Sequence, residues 1–117
     1  MMRPDIENGA GQGATVFVCR ECPGGADRLE RVRRALSGTG CDTRPSSCLS
    51  GCRSGASVAI RAPGRMAWLL GPVTEDDMAH LPEFMRLYRA APQGAITDAR
   101  SLGTLRLRVL ARIPALP

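Results

Sequence analysis

At 117 residues and 44% hydrophobic content the chain fits one domain with a modest core. Aromatics are only 3%, with Phe17, Trp68, Phe84 and Tyr88 the only rings, which argues against a base-stacking nucleic-acid surface. The formal charge is +5 and all sixteen cations are arginine, a pattern that fits either a coding bias or an Arg-rich face for an acidic partner; no nucleic-acid motif accompanies it.

In chain order, Met1–Ala14 is polar and Gly-containing and reads as a flexible arm, with no apolar region of a secretory signal. The domain is expected over 15–117. Thr15–Val18 is β-branched and aromatic, a buried-strand signal that runs directly into Cys19. After Pro23-Gly24-Gly25, Asp27 is placed to cap a helix from about Arg28 to Ser37, with Leu29, Val32 and Leu36 on its inner face. Cys41–Ser47 reads as a weak second strand, and Pro45 places it at a sheet edge or a strand end.

Ser57–Ala62 and Met66–Leu70 flank Pro63-Gly64-Arg65 and predict a β-hairpin. Thr74 with Asp77 forms a capping-box variant, and Glu75-Asp76-Asp77 supply negative charge to a helix N-terminus. The helix that follows buries Met78, Leu81, Phe84, Met85 and Tyr88, and Pro82 demands a kink or a second helix starting there. Leu105–Val109 alternates like a strand, while Leu110–Ile113 suits a helix, so the tail stays open. The order β-α-β, hairpin, helix is that of a small α/β or α+β domain. No apolar run approaches the roughly 18 residues of a membrane span, and the expected location is the cytoplasm.

Four of the five cysteines fall in two close pairs, Cys19-Arg-Glu-Cys22 and Cys48-Leu-Ser-Gly-Cys52. In a reducing compartment such pairs point to metal or redox chemistry rather than structural disulfides. Each pair follows an expected strand, and a right-handed βαβ crossover can bring two strand ends side by side. Four thiolates on two loops suit a [2Fe–2S] cluster. Structural zinc fits less well: residues 23–47, a helix included, separate the pairs, and the second pair is spaced by three residues. Dithiol–disulfide exchange is the third reading, set back by Pro23-Gly24-Gly25 standing between Cys22 and the helix.

Val16-Phe17-Val18-Cys19-Arg20-Glu21-Cys22, the run Cys48–Cys52, the hairpin Pro63–Gly71, Leu87-Tyr88-Arg89-Ala90 and Ala111-Arg112-Ile113-Pro114 together carry a family resemblance. The chain resembles the thioredoxin-like [2Fe–2S] ferredoxins, and more closely a family of small bacterial proteins regarded as metal-binding and of unknown function. The resemblance implies a thioredoxin-like α/β fold, a small sheet flanked by helices. It implies a [2Fe–2S] cluster on Cys19, Cys22, Cys48 and Cys52, and a homodimer. It also implies one-electron transfer to a redox partner protein without enzymatic activity, and a link to cobalamin metabolism. The alternatives are a zinc-stabilised interaction module and a metal delivery or sensing protein.

Other residues have plainer expectations. Cys41 reads as a small buried hydrophobe, with a substitute ligand or redox sensor as the functional alternative. His80 reads as a surface or boundary residue, and Trp68 as a core or interface residue. Arg20 and Arg53 adjoin cysteines, where positive charge would stabilise a reduced cluster and raise its potential. Arg106, Arg108 and Arg112 read as a solvated face or a docking face.

Overall fold

The computed structural model describes residues 13–49 and 55–116. The predicted arm therefore lies outside the described residues apart from Gly13 and Ala14, and Ala14 belongs to the core at 1% exposure.

The first strand, β1 (Thr15–Cys19), alternates Val16 and Val18 into the core with Thr15 and Phe17 on the other side, as a strand with one buried face must. Helix α1 (Gly25–Ala35) begins three residues earlier than expected. Its N-cap is Gly24 in a left-handed conformation, φ 76°, and Asp27 sits in the first turn instead of capping. Val32 and Leu36 are buried and Leu29 packs beside them, as the spacing predicted. The arginine-rich remainder faces outward, except that Arg31 bonds Asp27 at 2.8 Å and pairs with Glu75, joining α1 to the segment after the hairpin.

Strand β2 (Asp42–Ser46) runs parallel to β1 at the sheet edge. Pro45, which cannot donate to a ladder, is tolerated there. Strands β3 (Val58–Arg61) and β4 (Ala67–Leu70) form the predicted hairpin around Pro63-Gly64-Arg65. The sheet order is β2-β1-β3-β4-β5, with β1 and β2 parallel and every other pairing antiparallel. This mixed sheet with its flanking helices is the small α/β fold expected of the thioredoxin-like class.

Thr74 and Asp77 close a capping box on a 3-10 helix, Glu75–His80, which passes directly into α2 (Leu81–Ala90) with Pro82 in the first turn. Pro82 thus starts a second helix and does not kink a longer one. Met78, Leu81, Phe84, Met85 and Tyr88 are all buried, as predicted. Phe84 sets its ring edge against Trp68 at a centroid distance of 5.3 Å, and the Trp68 indole donates to the Gly94 carbonyl at 3.0 Å. Trp68, 3% exposed, is a core residue.

The open tail resolves in the reverse order of its two sequence signals. Ala99–Leu107 is 3-10 helical and bends at Gly103, and β5 (Val109–Ile113) pairs antiparallel with β4. No helix among the described residues is long and apolar enough to cross a membrane.

Candidate functional site

The site grows from the end of β1. Cys19 is 1% exposed and Cys22 is 7% exposed, and their sulfurs lie 3.3 Å apart. Two strands hold the backbone here. The Cys19 amide donates to the Ser57 carbonyl at 3.0 Å, and the Arg20 amide donates to the Ser46 carbonyl at 2.9 Å. The turn closes with the Gly25 amide on the Cys22 carbonyl at 3.0 Å.

Gly25 is required by close approach. A Cβ there would stand 2.7 Å from the Arg20 Cα and 2.8 Å from the Cys19 carbonyl oxygen. The helix therefore starts directly against the backbone of the cysteine turn. Cys22 lies two residues before the N-cap, nearer the positive end of the helix dipole than a start at Arg28 would allow. Of the expected Pro23-Gly24-Gly25 spacer, Gly25 belongs to the helix, while Pro23 and Gly24 still stand between Cys22 and its first residue.

Burial pushes the Cys19 thiol up, yet hydrogen bonds reverse the balance and hold it below the ordinary thiol value. The backbone amide of Leu49 comes first among them, then the Cys22 thiol and the amides of Glu21 and Cys22. The Leu49 contact matters for the site as a whole. Leu49 follows Cys48, so the second cysteine loop reaches the first, as the βαβ argument required.

Cys48 itself is exposed, and Cys52 and Arg53 lie outside the described residues. Among the described residues no three His, Cys, Asp or Glu side chains gather as a metal-holding group. The part of the predicted site that is brought together is thus Cys19, Cys22 and the start of the second loop.

The chemistry of this part fits a thiophilic metal. Two sulfurs on one tetrahedral metal with bonds near 2.3 Å stand about 3.8 Å apart. The Cys19–Cys22 pair reaches that separation from 3.3 Å with a small opening. The converging amides favour sulfur as thiolate, the form that binds metal.

Cys41 is removed from candidacy as a substitute ligand. It precedes β2, whose register with β1 pairs Asp42 with Thr15 and Ser46 with Cys19. Cys41 therefore lies at the start of β1 and Cys19 at its end, more than about 13 Å away at the rise of a strand. It is half-buried, and Arg89 Nη2 donates to its sulfur at 2.8 Å.

Asp77 lies in the first turn of the 3-10 helix, as expected, and it is also fully buried: it accepts from the Thr74 amide and hydroxyl, the Thr104 hydroxyl and Arg108 Nε. Burial raises its carboxyl, and these bonds, led by Thr104, outweigh that and hold it below the usual carboxylate range. Arg108 is accordingly committed to Asp77 and drops out of the arginine docking face, while Arg106 stays exposed and Arg112 lies over the Trp68 ring at 5.5 Å. His80 is a boundary residue, packed against Gly103. Arg20 is exposed and stands 3.9 Å from Glu21.

Sequence reasoning missed Ser57, Leu49 and Gly25 as site residues. Only Gly25 carried a signal, the Gly-Gly that follows a Cys-x-x-Cys turn. No curated protein and no solved structure matches the chain. The model of the family described as "Protein of unknown function (DUF1636)" matches residues 16–115, from β1 through β5 with both cysteine pairs inside, and the chain belongs to that family.

Proposed function

We propose that the protein holds a [2Fe–2S] cluster on Cys19, Cys22, Cys48 and Cys52 and serves as a one-electron carrier, a small ferredoxin with no enzymatic activity of its own. The observation that carries the reading is the buried Cys19–Cys22 pair, sulfurs 3.3 Å apart, with the Leu49 amide of the second cysteine loop directed at Cys19. When bound, the cluster supplies the one-electron chemistry. The chain's own residues bury the first two sulfurs from water and aim the Leu49, Glu21 and Cys22 amides at Cys19, where they offset thiolate charge. Exposed Cys48 marks the side that a redox partner protein approaches. Half-exposed Phe17, Ala59 and Leu69 on the outer sheet face support the homodimer of the family resemblance. A link to cobalamin metabolism rests on that resemblance alone.

The test is the visible spectrum of protein purified without oxygen. A red-brown chromophore that bleaches with dithionite, and is lost in Cys19→Ser and Cys48→Ser, supports the carrier. A colourless protein with one zinc per chain replaces it with a zinc-stabilised interaction module, or a metal delivery or sensing protein, on the same cysteines.

A second reading has its own support. Two buried thiols in contact, just ahead of a helix N-terminus and one of them with a lowered pKa, are also equipped for dithiol–disulfide exchange. Metal-free protein that loses two titratable thiols on mild oxidation, and fails to do so as Cys22→Ser, would establish it. Retention of a metal through oxidation would argue for the cluster instead.

A further inference from the structure

Among the described residues, three buried side-chain polar atoms have no hydrogen-bond partner: Arg28 Nη1, Arg89 Nε and Ser57 Oγ. The two arginines use other nitrogens, Arg28 on the Pro23 carbonyl and Arg89 on the Cys41 sulfur. Ser57 has one polar side-chain atom, it is 0% exposed, and that atom bonds nothing. A buried hydroxyl left in this state is destabilising, so a fold that keeps one beside a reactive group invites a functional account.

The sheet register says what lies beside it. Strands β1 and β3 pair antiparallel, with Val18 opposite Val58. One step further the Cys19 amide still donates to the Ser57 carbonyl at 3.0 Å. Cys19 and Ser57 are therefore directly opposed, with side chains on the same face of the sheet and β-carbons about 5 Å apart by the geometry of such pairs. The hydroxyl without an acceptor is the cross-strand neighbour of a buried cysteine.

We propose that Ser57 is a positioning residue for the metal centre: its hydroxyl is held in reserve as a hydrogen-bond donor to sulfur at Cys19, and finds its acceptor when that sulfur is a metal-bound thiolate. This rests on the metal-binding reading above. A neutral thiol is a weak acceptor, whereas a thiolate accepts strongly, so the bond forms on loading. Ser57 thereby stabilises the loaded form over the empty one, and hydrogen bonds to sulfur also raise a cluster's potential.

The experiment compares wild type, Ser57→Ala and Ser57→Thr by cobalt(II) and zinc titration, by melting of empty and loaded protein, and by potentiometry of reconstituted cluster. Ser57→Ala is expected to bind metal about tenfold more weakly, the loss of one hydrogen bond to a charged group. Its empty form should melt no lower than wild type, because an unsatisfied hydroxyl is gone, while the rise in melting temperature on loading shrinks. Its cluster midpoint should move negative, and Ser57→Thr, which keeps the hydroxyl, should restore affinity and midpoint. If wild type loads metal and Ser57→Ala matches it in affinity, loading shift and midpoint, the assignment is overturned and the metal site stands. If Ser57→Ala destabilises empty and loaded protein equally, the role is structural and the assignment is again overturned. Wild type that takes up neither metal nor cluster overturns the metal reading and this assignment with it.

Discussion

Two buried polar sites lie at similar depth in this fold and are built in opposite ways. At Asp77, one carboxylate accepts from the Thr74 amide and hydroxyl, Thr104 and Arg108, and donors and acceptor balance. At the end of β1, the Leu49, Glu21 and Cys22 amides converge on the Cys19 sulfur, and the buried Ser57 hydroxyl on the neighbouring strand has no partner, so donors exceed acceptors. The first arrangement is complete as it stands and ties the start of the 3-10 helix to the C-terminal segment. The second would be completed by negative charge on sulfur, which the proposed metal binding, or deprotonation, would supply. In a low-dielectric interior a satisfied network fixes structure, and a surplus of donors marks where charge is meant to appear.

The comparison can be broken most forcefully at Asp77. Asp77→Ala leaves Arg108 and both threonines without their acceptor and should destabilise the fold by about 3–5 kcal/mol, as loss of one partner from a buried pair does. Urea unfolding checks it; a loss within the range of ordinary surface changes would mean that the network is not structural. Any folded fraction should still bind metal as wild type does, since Asp77 is not among the proposed cysteine ligands.

Next comes Gly25→Ala. The new methyl cannot coexist with Cys19 and Arg20 at 2.7–2.8 Å, so the turn must shift. A destabilisation of about 1–3 kcal/mol follows from such overpacking, and cobalt(II) affinity should fall with it because the sulfur pair moves. Unchanged affinity would show that the helix start does not set the pair's geometry.

The pH dependence is a finer probe. The Asp77 carboxyl has a folded pKa below its unfolded value, so its contribution is fully present above the unfolded pKa of about 3.9 and is lost as pH falls through the lower folded value. Melting temperature should thus drop in acid below about pH 4, and Asp77→Asn should flatten that dependence. An equally steep acid limb in the variant would assign the effect to other carboxylates.

The smallest effect is expected at Arg20. It is exposed and screened by solvent, so Arg20→Gln should shift the midpoint of the proposed cluster less than Ser57→Ala does, and the shift should fade with added salt. A larger shift than that of Ser57→Ala would reverse the order of buried and surface contributions to the potential.

Much of the fold was legible because its signals are local. Strand β1, the hairpin around Pro63-Gly64-Arg65, the edge position of β2 and the inward face from Met78 to Tyr88 follow from side-chain period, turn residues and proline chemistry. The tail shows where this fails. Leu105–Val109 alternates like a strand, but Leu102 and Leu105 are buried three apart, a 3-10 spacing, and Leu107 is left 69% exposed. Strand β5 exists because β4 offers it an edge, which no local pattern records.

The amino-acid order alone determined that cysteines come in two close pairs, that each pair adjoins a strand or its following loop, and that Cys19 ends a buried strand. Those are properties of neighbours along the chain. The tertiary structure decided which groups meet them: Leu49 reaches Cys19 from the second loop, and Ser57 stands across from Cys19 on β3, while Cys41 is carried to the far end of the sheet. It likewise made Asp77 a buried anchor, because Thr104 and Arg108 arrive from 27 and 31 residues away. Cross-strand and loop contacts depend on register and topology, and these are set by burial of the whole sheet rather than by any segment of it.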